Sequence, residues 1–284
     1  MSAPSDFTLR TLASFQECQA CVELQEEVWG PGYSEKVPAA ILLLANRLGG
    51  LSAGAFDSRG VMQGFVFGLT GWMGGKMVHW SDTLAVRRTA RDRGLGTRLK
   101  LYQREVLLGR GICRMQWTFD PLQGRNAHVN LGKLGAVCRE YATDMYGETG
   151  SALHRGVGTD RMVATWEMDS GRVEARLGGA HPPPGVETLR DVRRVVRVGE
   201  RDGFPEPGPA SLELEDPRLI VPVPGQIDRM MVAHLPLAIR WREVTREAFL
   251  HYLSRGYEVL EFIRRGDVSE YLLMVPEGEG VERR

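Results

Sequence analysis

The chain has no charge surplus of either sign. Its 284 residues include 36 Lys and Arg against 36 Asp and Glu. A nucleic-acid binder or an anionic-membrane binder normally shows a basic excess, so neither partner is expected. No apolar run reaches the length of a bilayer span. The opening stretch, Met1 to Arg10, is polar and lacks the apolar core of a signal peptide. A cytoplasmic protein is therefore the expectation. Cysteine is scarce: Cys18, Cys21, Cys113 and Cys138 are too few for a disulfide framework in so long a chain. Cys18 and Cys21 form a C-x-x-C, but they fall inside a helical pattern with Phe15, Val22, Leu24 and Val28. No further pair of ligands follows at close spacing, so no metal is expected and buried thiols are.

What is present is ordinary for a globular protein, with 43% hydrophobic and 25% charged residues. The length favours two domains. Alternation, helical spacing and Gly/Pro stops give strands at 7–12, 51–56, 61–70, 77–86, 112–119 and 163–168, with helices at 14–29, 37–46, 95–108 and 124–134. The stretch 137–146 fits a strand or a helix. A hairpin early in the chain and strands joined by helices imply a mixed α/β sheet. Pro182-Pro183-Pro184 and Gly178-Gly179 mark a boundary. The expected domains are 1–170, a linker at 171–186, and a smaller C-terminal α/β unit at 187–284. In that unit 203–209 reads as a Pro/Gly-rich loop and 237–253 as a helix.

The most informative segment runs from Leu84 to Leu99, with the sequence LAVRRTARDRGLGTRL. An apolar strand leads through a basic turn into two glycines that open a helix. Unspent backbone N–H groups and the helix dipole at such a point favour an anion, and glycine lets a phosphate approach closely. A dinucleotide motif would need a third glycine and a later acid, and a Walker loop would end in Lys-Ser/Thr; neither is present. What matches is Arg91-x-x-Gly94-x-Gly96 after Leu84-x-Val86. This segment resembles the acyl-CoA-binding motif of the GNAT-type N-acetyltransferases, and the order of elements over residues 5–168 agrees with that family. Arg88 stands where many members carry proline.

The resemblance implies a mostly antiparallel central sheet flanked by helices and an acetyl-CoA donor. Leu84 and Val86 would hold the pantetheine arm through strand backbone. Arg91, Arg93, Gly94, Gly96 and Thr97 would hold the pyrophosphate. The family's next landmark is an Asn, then Ala, Tyr and Leu-Gly. Aligning Leu134-Gly135 to Leu-Gly places Ala127 on the alanine, Gly124 on the asparagine with Asn126 close by as a cofactor contact, and Leu131 on the tyrosine. Tyr141 and Tyr146 are then candidates for the acid, each with a packed aromatic as the alternative. Asp82 is the candidate base, with a structurally bonded carboxylate as the alternative; Glu26 and Glu27 lie where the family often binds its acceptor. The stretch 248–257 carries a helix, Tyr252 and Gly256, like a degenerate second GNAT half. The expected activity is transfer of an acyl group, most simply acetyl, to an amine of a small molecule or peptide by direct attack. A binder of acyl-CoA with weak or no transfer, and a transferase of longer acyl or aminoacyl groups, are the alternatives. A homodimer is compatible with all three.

Overall fold

A computed structural model describes residues 7–30, 32–147, 156–180 and 189–276. The described residues form two compact units. The first comprises 7–117 and 167–170; the second comprises 118–147, 156–166 and 171–276.

The first unit opens with β1 (Thr8–Thr11) and α1 (Phe15–Trp29). Ser14 starts α1: its hydroxyl accepts from Glu17 N at 3.2 Å, while the Glu17 carboxylate accepts from Ala13 N at 2.7 Å, a reciprocal capping box. Next come α2 (Ala39–Arg47), β2 (Leu51–Phe56), β3 (Met62–Met73) and β4 (Lys76–Val86). The β2–β3 turn is set by Asp57, whose Oδ1 accepts from the amides of Arg59 and Val61, both at 2.9 Å. After a 3-10 turn at Arg88–Ala90 come α3 (Leu95–Leu108) and β5 (Arg114–Phe119), of which residues through Trp117 belong here.

Strands β1 to β4 pair in sequence order, all antiparallel, and β4 pairs β5 in parallel. The sheet carries apolar side chains on both faces. One face packs Phe65, Phe67 and Ala85 with Cys18, Cys21, Leu24 and Leu42 of α1 and α2. The other packs Ala53, Ala55 and Val66 with Leu95 and Leu99 of α3. Cys18 and Cys21 are thus core residues, as expected from helical spacing, and burial raises both thiols.

The second unit contains α4 (Gly124–Ala127) continued by a π-helical turn at His128–Lys133, then β6 (Val137–Ala142), β7 (Arg161–Glu167, through Trp166), α5 (Gly171–Leu177), β8 (Arg193–Arg194), β9 (Val196–Arg201), β10 (Phe204–Ala210), β11 (Arg218–Pro224), α6 (Ile227–Ala233), α7 (Leu235–Ser254), β12 (Glu258–Ile263) and β13 (Val268–Met274). Its sheet runs β7-β6-β12-β13-β11-β8. Neighbours are antiparallel except β11 and β8. Strands β9 and β10 form a separate hairpin.

One open choice is settled and two features differ from the sequence reading. The stretch 137–146 resolves into a strand, β6, followed by turns. Residues 171–177, assigned to the linker, form α5, in which Arg176 is buried and paired with Glu261 at 2.6 Å. The Pro-rich stretch 203–209 forms β10, because a strand with one open edge tolerates prolines that donate nothing to a ladder. The rest of the linker, 181–186, lies outside the described residues. The two compact units divide after Trp117, with 167–170 returning to the first. Strand β6 pairs with β12 through Cys138 and Val259, a long-range pairing that composition along the chain does not reveal.

Candidate functional site

The glycine turn lies in the first unit, where β4 hands over to α3. Gly94 is the residue before the helix and adopts φ 72°, ψ 8°, a left-handed conformation that L side chains rarely take. Arg98 N is the donor that closes onto Gly94 O at 3.0 Å. The amides of Leu95, Gly96 and Thr97 stand ahead of that bond, at the positive end of a 14-residue helix. A Cβ on Gly96 would lie 3.6 Å from Leu84, so packing would also accept alanine there. The turn therefore requires glycine at 94 for its backbone and only a small residue at 96.

Basic residues around the turn are engaged in different ways. Arg91 is exposed and its Nε donates to Val86 O at 3.3 Å. Arg93 stacks on the Phe7 ring at 4.8 Å and lines an open groove of about 460 Å³ bordered by Asp57, Gln63 and Thr89. Arg87 pairs with Glu27 at 2.7 Å, and Lys36 pairs with Glu26. Both α1 carboxylates are therefore already partnered by cations of the chain itself.

The edge of β4 toward β5 is the second component. The parallel ladder comprises Val78↔Arg114, His79↔Met115 and Trp80↔Gln116 and ends there, while β4 continues six residues further to Val86. Leu84 and Val86 lie on that continuation, half-buried, and pair on their other side with Val66 and Gly64. A β-bulge sits where the ladder ends. Trp80 opposes Leu69 and Thr83 opposes Phe67, so Ser81 and Asp82 together face the single residue Gly68. The bulge breaks simple alternation, so spacing alone does not assign His79 and Asp82 to faces. Asp82 is exposed and accepts from Thr83 Oγ1 at 2.7 Å. The expectation of a base on a buried strand position thus meets an acid at the surface. His79 is the buried one.

Beneath the bulge runs a chain of buried polar groups that the sequence reading missed. Lys100 Nζ donates to Ser81 Oγ at 2.7 Å, and Ser81 Oγ donates to Gln103 Oε1 at 2.9 Å. Gln103 Nε2 lies 2.9 Å from His79 Nε2, and His79 Nδ1 lies 3.0 Å from Thr70 Oγ1, which donates to Gly49 O at 2.7 Å. One donor direction satisfies every link if His79 is neutral with its proton on Nδ1. Burial and the positive charges of Lys100 and Arg110 push the imidazole down to about 3, in keeping with that tautomer. Gly68 makes room: a Cβ there would come within 2.3 Å of His79 Nε2. The available signal was in α3, whose buried positions Leu95, Leu99, Lys100, Gln103 and Leu107 place two polar residues on an otherwise apolar stripe.

The remaining candidates belong to the second unit. Asn126 is exposed on α4. Leu131 is fully buried in the π-helical turn. Tyr141 is buried; its hydroxyl donates to Asp160 Oδ2 at 2.6 Å, and burial raises its pKa. Tyr146 is half-buried, 3.0 Å from Thr118 Oγ1, with Arg161 over its ring. Tyr252 donates to Ser211 O at 2.6 Å and is packed against Tyr257. Among the described residues no His, Cys, Asp and Glu cluster could hold a metal ion, and no helix is long and apolar enough to cross a membrane.

No family model and no curated protein sequence matches the chain. Solved structures similar to it include the following. A chain of the NatC complex bound to Gag peptide and CoA is similar at 12% identity and TM-score 0.47, over 57% of this chain and 98% of that one. The ribosomal-protein-S18-alanine N-acetyltransferase from Escherichia coli is similar at 13% and 0.45, over 58% and 96%. An acetyltransferase of the GNAT family from Streptococcus pneumoniae is similar at 16% and 0.45, over 56% and 98%.

Proposed function

We propose that the chain is an acyl-CoA-dependent N-acyltransferase, with acetyl-CoA as the simplest donor and a small-molecule or peptide amine as acceptor. The observation that carries this reading is a conjunction in the first unit: a β4–β5 ladder that ends at a bulge, and an anion cradle at the far end of the same strand. Such a pair suits a long flexible arm with a pyrophosphate at one end and a reactive thioester at the other. In this reading the amides of Leu95, Gly96 and Thr97 hold the pyrophosphate, with Arg91 adding charge. The open backbone edge at Leu84 and Val86 holds the arm.

The acceptor amine must arrive unprotonated at the thioester carbonyl. Asp82, exposed at the bulge, is the proposed proton acceptor in the first unit. Its exposure allows a water to relay the proton. Of the two candidate tyrosines, both in the second unit, the Tyr141 hydroxyl already serves Asp160, while that of Tyr146 is 3.0 Å from Thr118 Oγ1. Direct attack by the amine needs no covalent enzyme intermediate, and Cys138, the buried thiol of β6, is raised by desolvation away from the reactive thiolate.

One observation favours a second reading, that of an acyl-CoA binder with weak or no transfer. Leu131, where the resemblance places the acid, is apolar and sealed in the core. Titration calorimetry with acetyl-CoA, followed by thiol release over a panel of amines, separates the two. Binding with turnover supports the transferase, binding without turnover supports the binder, and absence of binding defeats both.

A further inference from the structure

Lys100 has no role in the transfer as set out above, yet it occupies an unusual place. Only four of the 36 Lys and Arg residues are lysines: Lys36, Lys76, Lys100 and Lys133. Lys100 is 7% exposed and, among the described residues, forms no ion pair. Its amine touches Ser81 Oγ at 2.7 Å, Met115 Sδ at 3.9 Å and the Trp117 ring, whose centroid is 4.0 Å away. Ser81 and Trp117 are the residues that follow the last ladder pair, Trp80↔Gln116. The amine therefore sits between β4 and β5 at the point where their pairing stops.

The valences of this group are informative. The Ser81 hydroxyl hydrogen is directed to Gln103 Oε1 at 2.9 Å, so Ser81 accepts from the amine and does not donate to it. A neutral amine has two N–H bonds; directed to Ser81 Oγ and to the Met115 sulfur, they leave the Lys100 lone pair uncommitted. Desolvation without a carboxylate lowers the Lys100 pKa well below the ordinary lysine value, which favours that neutral form. From Ser81 to Val86 the strand covers about 16 Å at roughly 3.3 Å per residue. An extended acyl-pantetheine arm anchored at the α3 amides reaches back over that distance toward the bulge.

We propose that Lys100 is itself an acylation site, modified by the acyl-CoA held along β4 when no other amine is present. The inference rests on the acyl-CoA reading above. The lone pair of Nζ attacks the thioester carbonyl carbon; a C–N bond forms, the C–S bond breaks, and the thiolate leaves with the proton lost from nitrogen. Thioester and amine become amide and free thiol, with no change of oxidation state. An amide does not pass its acyl group on, so the event occurs once per chain and fills the point where the strands part.

The test uses the full-length protein and acetyl-CoA without acceptor. Calorimetry measures binding, a thiol reagent measures released CoA, and peptide mapping locates the acetyl group among the four lysines. One acetyl group on Lys100 and one equivalent of thiol per chain are expected. Between pH 7 and 9 the rate should rise less steeply than the roughly tenfold per pH unit by which an ordinary exposed lysine gains neutral amine, because desolvation lowers the Lys100 pKa. Lys100→Met should abolish the thiol release; if that variant does not fold, the peptide map of the unaltered protein decides. Binding with Lys100 unmodified, or with acetyl groups only on Lys36, Lys76 or Lys133, overturns the inference and leaves the acyl-CoA reading standing. Absence of binding overturns that reading and the inference with it.

Discussion

The two units treat buried polarity in opposite ways. In the second unit, buried charges meet opposite charges. Asp160, fully buried, accepts from Arg246 through both oxygens at 2.7 Å and from Tyr141 at 2.6 Å. Arg242 pairs with Asp120 at 2.7 Å, and Arg176 with Glu261 at 2.6 Å. In the first unit the buried polar chain from Lys100 to Thr70 contains no carboxylate. Its two potential cations, Lys100 and His79, are held among neutral partners, and the amides of Leu95, Gly96 and Thr97 stand at the nearby helix start. Ion pairs that complete each other tie elements together and leave little for a ligand. Neutral chains and open amides hold a shape while keeping groups available. The proposed function accordingly assigns the ligand to the first unit.

Removing Asp160 should produce the largest effect. Asp160→Ala strands the Arg246 guanidinium and the buried Tyr141 hydroxyl, and a loss of about 3–5 kcal/mol is expected in denaturant unfolding. A loss under about 1 kcal/mol would erase the contrast between the units. Next is the pH dependence contributed by His79. Its folded pKa lies below its unfolded value, so the unfolded chain binds the proton first as pH falls. The stability it confers is present above about pH 6.5 and is lost progressively toward its folded value of about 3. Relative to His79→Gln, the unaltered protein should lose about 2–4 kcal/mol more over that window. Lys100 has the same sign at higher pH: stability should rise as pH approaches the unfolded lysine value of about 10, and Lys100→Met should flatten that rise.

Gly94→Ala probes the cradle. At φ 72° a side chain costs about 1–2 kcal/mol, and acetyl-CoA affinity should fall about tenfold, the equivalent of 1.4 kcal/mol. A binding loss far smaller than the stability loss would place the anion elsewhere. The smallest effect is expected for Glu27→Ala. Its ion pair with Arg87 is solvent-exposed, so stability should change by less than about 1 kcal/mol. Freeing Arg87 should then raise acetyl-CoA affinity slightly if that arginine can swing to the phosphates.

Much of the architecture could be read from local pattern. Helical spacing announced α1, the early hairpin signal announced the β2–β3 turn, and Gly94 announced the start of α3, because such patterns are set by residues a few positions apart. The prolines of 205, 207 and 209 misled the reading. Whether a proline breaks a strand depends on which edge is paired, and that is a property of the sheet. Asp82 was misjudged for a related reason: the bulge at Ser81 and Asp82 changes which positions of β4 are covered. Lys100 and Gln103 are polar residue types, although their spacing puts them on the buried stripe of α3.

The amino-acid order alone determined the glycine turn, since positive φ, a helix start and a run of arginines are local chemistry. It also carried the resemblance to acyl-CoA binders through Leu84, Val86, Arg91, Gly94 and Gly96. Tertiary structure decided where the β4–β5 pairing stops, that Asp82 is exposed while His79 is buried, and that Lys100 stands between Ser81 and Trp117. Those outcomes depend on strand register and on contacts between residues tens of positions apart. Such contacts are fixed by how sheet and helix pack, which no window of sequence contains.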